Sequence, residues 1–252
     1  MTEEHPVRIE RDGEVALVTL DRPERRNALN SVAARALAEA IEATSDARAV
    51  ILTGVGGAFC AGGDLDELEK WSDLDPADIA DKLYQAYQGM ILAIRSSAAV
   101  VIAAVDGPAV GAGLDLALAC DLRIASTRAR FGQVWVRLGV IPGTGGAWLT
   151  QALIGPTRAA EMLLTGELID SERALQWGLV NELVGPNELI DRARAVAERV
   201  LAHPRDGVVA NKRAMVKATE AQLQAALDHA REIQPQRFTS DEFRAALKRA
   251  RG

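Results

Sequence analysis

The chain has few of the residues that most hydrolases and metalloenzymes rely on. It holds only three histidines, His5, His203 and His229. They stand at the start of the chain and in its late helical region, so a Ser-His-Asp or Cys-His mechanism has little to draw on. It holds two cysteines, Cys60 and Cys120. Both sit among small apolar residues, the setting of a buried thiol, and no Cys/His spacing suggests zinc. Positive charge is not in excess. The formal net charge is -6, which argues against bulk nucleic-acid binding but leaves room for a small anion held by a few arginines. No apolar run approaches membrane-spanning length. The N-terminus carries neither a basic region nor an apolar core, so no signal peptide is expected. With the two unpaired thiols, this predicts a cytoplasmic protein.

What is present is an alternation of short β-branched runs and helical patterns. Two glycine-rich stretches organise it. Gly57-Ala-Phe-Cys-Ala-Gly-Gly-Asp-Leu65 follows the run Ala49 to Thr53. Asp106-Gly-Pro-Ala-Val-Gly-Ala-Gly-Leu-Asp115 follows the run Val100 to Val105. Each run reads as a buried strand, and each glycine stretch opens a helix. A strand that turns into a helix through small residues leaves backbone N–H groups uncovered, and such groups can hold negative charge on an oxygen. Tight strand–helix packing alone also explains small residues there.

The pattern predicts strands at Val7 to Ile9 and Glu14 to Leu20 around the turn Arg11-Asp12-Gly13. Ser31 is the expected cap of a helix to about Ala43, with Val32, Leu37 and Ile41 inward. Asp64 is the expected cap of the helix after the first glycine stretch. The polar segment from Leu65 to Pro76 reads as a mobile connection or lid carrying Asp66, Glu67 and Glu69 in solvent. Helical spacing runs from Pro76 to Ile94, with a further helix from Leu114. Strands are expected at Leu122 to Ala125, near Ala129 to Phe131 and at Leu179 to Val184, and Val134 to Leu138 leads into a third glycine turn, Pro142 to Gly146. Helices follow at Ala147 to Ile154, at Pro156 to Leu164, and from Ser171 to Trp177, ended by Gly178. Beyond Pro186 the pattern is helical only, broken near Pro204 and Pro235. The class is α/β with a helical C-terminal region, divided at residues 1–185 and 186–252.

Taken together, the motifs resemble the crotonase, or enoyl-CoA hydratase/isomerase, superfamily. The resemblance rests on Ala58 to Leu65, Asp106 to Leu114, Cys120-Asp-Leu-Arg123, Phe131-Gly-Gln133 with Leu138 to Gly143, and the early Arg22-Pro-Glu-Arg-Arg-Asn-Ala-Leu29. It implies a crotonase-like spiral of ββα units with a C-terminal trimerisation region. It also implies a homotrimer or a dimer of trimers, and an acyl-CoA thioester substrate with no separate cofactor. The implied enolate-binding N–H groups are those of Gly63 and Ala112. Implied CoA contacts are Arg26, with Arg22 or Arg25 beside it, Ala28, Ala61, Gly62, Asp64 and Leu65. Asp121 falls in a family motif and reads as structural.

The chain departs from the family's hydratases where two glutamates are expected. The first place is Asp115 and the second is Trp135, which would put apolar bulk beside the acyl group. Gly143 stands where some isomerases and dehalogenases carry an aspartate. Two function classes therefore remain: an acyl-CoA enzyme, a hydratase or isomerase with Asp115 as acid/base or else a hydrolase of the same superfamily, and a non-catalytic acyl-CoA-binding protein. A nucleotide-cofactor dehydrogenase using Gly54-Val-Gly-Gly57 lacks the dinucleotide spacing.

Overall fold

The computed structural model describes residues 5–251. The chain begins with a hairpin of β1 (Val7–Asp12) and β2 (Val15–Leu20). Its turn is Gly13-Glu14, two residues later than the sequence suggested, because Gly13 supplies the positive φ. Next come α1 (Ser31–Ala43), β3 (Ala49–Gly54) and α2 (Leu65–Trp71). Asn30, not Ser31, caps α1, its side chain accepting from Ala33 N. Val32 is exposed while Leu37 and Ile41 are buried, because Val32 stands five residues, about 140°, round the helix from Leu37. Asp64 caps α2 as expected. α3 (Pro76–Lys82), a π turn over Leu83–Gln88 and α4 (Gly89–Ser96) form one continuous helical run. The apolar residues at helical spacing along it, Ile79, Leu83, Tyr87, Met90, Ile91 and Ile94, are all buried.

The middle of the chain holds β4 (Val100–Val105), β5 (Pro108–Val110), α5 (Ala112–Ala119), β6 (Leu122–Ser126) and β7 (Arg130–Gly132). Val134–Leu138 forms a 3-10 turn. The two helices expected after it join as α6 (Gly146–Thr165), with Gly155 taking a non-helical φ of 79° at the junction. β8 (Ile169–Asp170) precedes α7 (Ser171–Trp177), capped by Asp170 rather than Ser171 and ended by Gly178. The last strand, β9 (Glu182–Val184), is shorter than expected. Then come α8 (Leu189–Leu201), α9 (Arg205–Lys217), α10 (Glu220–Phe238) and α11 (Asp241–Arg251). Pro204 separates α8 from α9, but Pro235 lies within α10 and does not break it. Among the described residues no helix is long and apolar enough to cross a membrane.

The strands form two sheets. The larger has the order β1-β2-β3-β4-β6-β9 and is parallel except at the β1–β2 hairpin. The smaller joins β5, β7 and β8. A parallel sheet covered on both faces needs apolar residues at every position of its inner strands. β3 and β4 meet that need by alternation. Val50, Leu52, Val101, Ala103 and Val105 face the main core, and Ala49, Ile51, Val100, Ile102 and Ala104 face a second layer made by α8.

Thus the helices beyond 185 pack on their own chain. α8 closes the second face of the sheet. Lys212 of α9 is buried, binding Ile94 O at 3.3 Å, Ala99 O at 2.7 Å and the Asp121 carboxylate at 2.7 Å. Asp121 in turn accepts from Val101 N at 2.7 Å, the structural role its motif suggested. Phe238 of α10 and Phe243 of α11 stack edge-on at 5.1 Å in the main core.

The segment expected to be a mobile lid is a packed helix. Leu68 and Trp71 are buried, and Trp71 meets Tyr87 and Phe238 edge-on at 5.4 and 5.3 Å. Glu67 is not a free solvated charge, since it accepts from Ser31 N at 2.8 Å and Tyr87 Oη at 2.6 Å. Trp71 therefore couples α2 to α10. Replacing it by Ala should lower the unfolding free energy by about 3–5 kcal/mol, the usual range for a buried large aromatic. Val32→Ala on the exposed face of α1 should stay within about 0.5 kcal/mol. Urea unfolding of the two variants checks both numbers.

Candidate active site

The two glycine stretches lie side by side as short parallel strands. Cys60 pairs with Ala109; Cys60 N donates to Pro108 O at 3.0 Å, and Val110 N to Cys60 O at 3.1 Å. Glycines permit the approach. A Cβ on Gly113 would sit 2.2 Å from Cys60 O, and one on Gly107 would sit 2.0 Å from Gly57 O. Beyond the Cys60–Ala109 pair the two loops stay close, since a Cβ on Gly62 would lie 2.8 Å from Val110 O and 3.8 Å from Ala112 N. Among the described residues, neither Gly63 N nor Ala112 N donates to a protein oxygen. Ala112 is the first residue of α5, where helix geometry leaves the N–H open.

A third segment is tied to this pair. Asn27 is buried with φ 56°. Its Nδ2 donates to Ala58 O at 2.7 Å and Val55 O at 2.9 Å, and its Oδ1 accepts from Arg22 N at 2.9 Å. Leu29 N donates to Gly62 O and Asp64 N to Leu29 O, both at 2.7 Å. Arg22 binds the Asp64 carboxylate at 3.0 Å and also donates to Ala28 O. Both side chains are thus engaged in holding the loops together, and Asp64 also caps α2.

Beside these loops opens a cavity of about 810 Å³. Of the residues expected at the site, Arg26, Ala28, Ala61, Gly63, Asp64 and Leu65 line it. Gly62, Ala112, Asp115 and Trp135 do not. Sequence reasoning missed Arg137, Leu138, Leu168 and Arg251, which complete the wall. Arg25 pairs with Asp66 at 2.8 Å, and Arg251 with Asp66 at 2.7 Å and Glu69 at 3.0 Å. Arg26 and Arg137 have no carboxylate partner among the described residues.

The inner end of the cavity is formed by Val110 and Val134. Just behind them the indole of Trp135 meets Gly111, with Cε2 3.5 Å and Cζ2 3.8 Å from where a Cβ would stand. Asp115 lies on α5 one turn on from Ala112 and is fully buried. Gln133 Nε2 donates to its Oδ1 at 2.7 Å and Thr144 Oγ1 to its Oδ2 at 2.5 Å. Gln133 also donates to Thr150 Oγ1 at 3.0 Å. Gly146 is tight against the same carboxylate, since a Cβ there would fall 1.9 Å from Oδ1. Burial pushes the Asp115 pKa up to about 6, against the pull of the bonds from Thr144, Gln133 and the Gly146 backbone. The Trp135 indole N–H also favours the charged form, although it makes no well-formed hydrogen bond to protein. Burial also pushes the thiols of Cys60 and Cys120 up to about 12, so neither is a thiolate near neutrality.

Comparison with known proteins places the chain in a family. The enoyl-CoA hydratase/isomerase family model matches residues 10–250. The short-chain-enoyl-CoA hydratase of Clostridium acetobutylicum is 34% identical over 243 residues, 95% of this chain and 92% of that protein. The (E)-benzylidenesuccinyl-CoA hydratase of Thauera aromatica is 38% identical over 223 residues, 87% of this chain and 85% of that one. The crystal structure of an enoyl-CoA hydratase/isomerase from Mycobacterium paratuberculosis superposes with a TM-score of 0.90 at 29% identity, covering 99% of this chain and 100% of its own. A Thermobifida fusca structure in complex with CoA gives 0.78 at 33% identity, covering 90% and 93%.

The raised pKa of Asp115 carries a stability consequence. An unfolded Asp loses its proton near 3.8, whereas the folded one keeps it to about 6. Between those values the native state holds more protons, so this carboxyl makes stability fall as pH rises. The full effect above pH 7 is about 3 kcal/mol. Asp115→Asn does not titrate, so its stability relative to wild type should climb from pH 4 to pH 7 and then level off. A flat difference in urea unfolding across that range would contradict the raised pKa.

Proposed function

The chain belongs to the enoyl-CoA hydratase/isomerase family, and from that premise we propose that it binds an acyl-CoA thioester with the thioester oxygen on the N–H groups of Gly63 and Ala112. One observation supports this reading: Gly63 N and Ala112 N are both uncommitted, Gly63 lines the cavity, and the Cys60–Ala109 pairing brings the two loops that carry them together. As charge moves onto the thioester oxygen, fixed donors in a dry site stabilise it without reorganising. Ala28, Ala61, Gly62 and Leu65 supply the wall along which the CoA lies. Arg26, joined by Arg137, meets its phosphates, because these two cavity arginines have no carboxylate to neutralise them. CoA arrives as part of the substrate, and no separate cofactor is needed.

Asp115 is the acid/base of this scheme. It stands one helical turn beyond Ala112, on the side toward which the α-carbon of such a thioester points. Its pKa of about 6 lets a carboxyl both take and return a proton near neutrality. An acyl group following the N–H groups inward meets the Gly111–Trp135 contact, with Asp115 directly behind. Trp135 thus shapes the acyl end. The proposed assembly is a homotrimer or a dimer of trimers using the C-terminal helices.

The second reading, acyl-CoA binding without turnover, is favoured by the burial of Asp115 away from the cavity. Exchange of the C2 protons of butyryl-CoA in heavy water separates the two. Under the first reading the wild type exchanges them, Asp115→Asn loses about 10²–10⁴ of the rate, and Ala112→Pro loses about 10²–10³ because it removes one N–H at a helix position that accepts proline. Under the second the wild type binds butyryl-CoA, by calorimetry, and exchanges nothing.

A further inference from the structure

Three polar atoms around Asp115 are buried without a partner among the described residues: Trp135 Nε1, Gln133 Oε1 and Gln234 Oε1. Buried polar atoms in folded proteins nearly always bond to protein, water or ligand. Gln234 belongs to α10 and packs against Gly143. The other two concern the reacting centre. Trp135 is 6% exposed and Gln133 fully buried. The nitrogen-bearing edge of the indole rests on Gly111, the residue before Ala112. Gln133 is held by its Nε2 to Asp115 and Thr150, which fixes where its oxygen sits. One open donor and one open acceptor therefore border the same carboxylate.

We propose that Trp135 Nε1–H and Gln133 Oε1 hold the oxygen that is added to, or removed from, C3 of the acyl chain, so that a neutral pair does the work of a second carboxylate. The inference rests on the function proposed above. A water molecule has two protons and two lone pairs. Here it donates one proton to Asp115 and one to Gln133 Oε1, and accepts from Trp135, an indole that can only donate. Its last lone pair is left to attack C3. Asp115 has room for this bond, because a carboxylate offers about four acceptor sites and the two side chains hydrogen-bonded to it, Gln133 and Thr144, use only part of them.

The step balances. The water oxygen bonds to C3 as Asp115 takes its proton, and the C2–C3 π electrons move onto the thioester oxygen at Gly63 and Ala112. Asp115 then gives that proton to C2, and the enolate collapses to the 3-hydroxyacyl thioester. One O–H bond is broken, one C–O and one C–H bond are made, and Asp115 ends as a carboxylate. Trp135 keeps its proton throughout.

The test compares wild type, Trp135→Phe and Trp135→His on hydration of crotonyl-CoA and on C2-proton exchange of butyryl-CoA. Trp135→Phe should lower kcat for hydration about 10–100-fold more than it lowers the rate of C2 exchange, because exchange needs no oxygen at C3. Trp135→His, which restores a ring N–H, should recover part of the loss. A readout that needs no variant is the indole N–H resonance of Trp135 in ¹⁵N-labelled wild type. It should move downfield with 3-hydroxybutyryl-CoA and stay in place with butyryl-CoA. Equal hydration by wild type and Trp135→Phe, or the same resonance shift with both ligands, overturns the inference. A wild type that exchanges the C2 proton yet never hydrates overturns it alone, whereas one that does neither defeats the reading beneath it as well.

Discussion

Everything at the site depends on how closely two loops approach. The Cys60–Ala109 pairing is a fragment of parallel sheet only a few residues long, and it exists because Gly107 and Gly113 have no side chains. Distances of 2.0 and 2.2 Å from a modest Cβ to a backbone oxygen leave no way to relax by side-chain motion. The same closeness brings Gly62 up against Val110 O and the N–H of Ala112 at the start of α5. Asn27 then ties the arginine-rich loop to the carbonyls of Val55 and Ala58, so three separate stretches of chain become one rigid unit. Such rigidity is what an N–H pair needs if it is to stabilise charge without first reorganising.

The sequence was most informative where one residue's chemistry decides the local outcome. β3 and β4 were legible because a parallel sheet covered on both faces demands apolar runs, and both runs are unbroken. The cap Asp64, the stop at Gly178 and the buried cysteines were legible for similar reasons. The misses share a different cause. Asn30 and Ser31 are both good N-caps, as are Asp170 and Ser171, and only the chain's exit angle chooses between neighbours. The Leu65 to Pro76 segment looked mobile because its acids outnumber its apolar residues. Its order comes from Trp71 and Leu68, whose partners Tyr87 and Phe238 lie far along the chain.

At the site, the sequence marks which loops matter but not which of their side chains bond one another. Arg22 and Asp64 belong to stretches that resemble CoA-contacting loops, and here they pair with each other while Asp64 still lines the cavity. Which arginine remains free is decided by pairings between distant segments, such as Arg251 with Asp66, that no local pattern announces. Gln133 and Thr144 escaped notice because their importance lies in a carboxylate on another element.

Asp115 shows why the site has the composition it has. Full burial alone would drive a carboxyl's pKa far upward and leave it protonated, able to give a proton but not to take one. Donors alone would hold it low, able to accept nothing from a weak acid. Here burial and the bonds from Thr144, Gln133 and the Gly146 backbone oppose one another and leave the value near 6. The length of the aspartate is matched to its donors, since Thr144 and Gln133 reach its two oxygens at 2.5 and 2.7 Å. The cost is a stability penalty above neutral pH, which the fold carries through the large apolar core around α5. Sites that must move protons near neutrality are often built on such unfavourable groups.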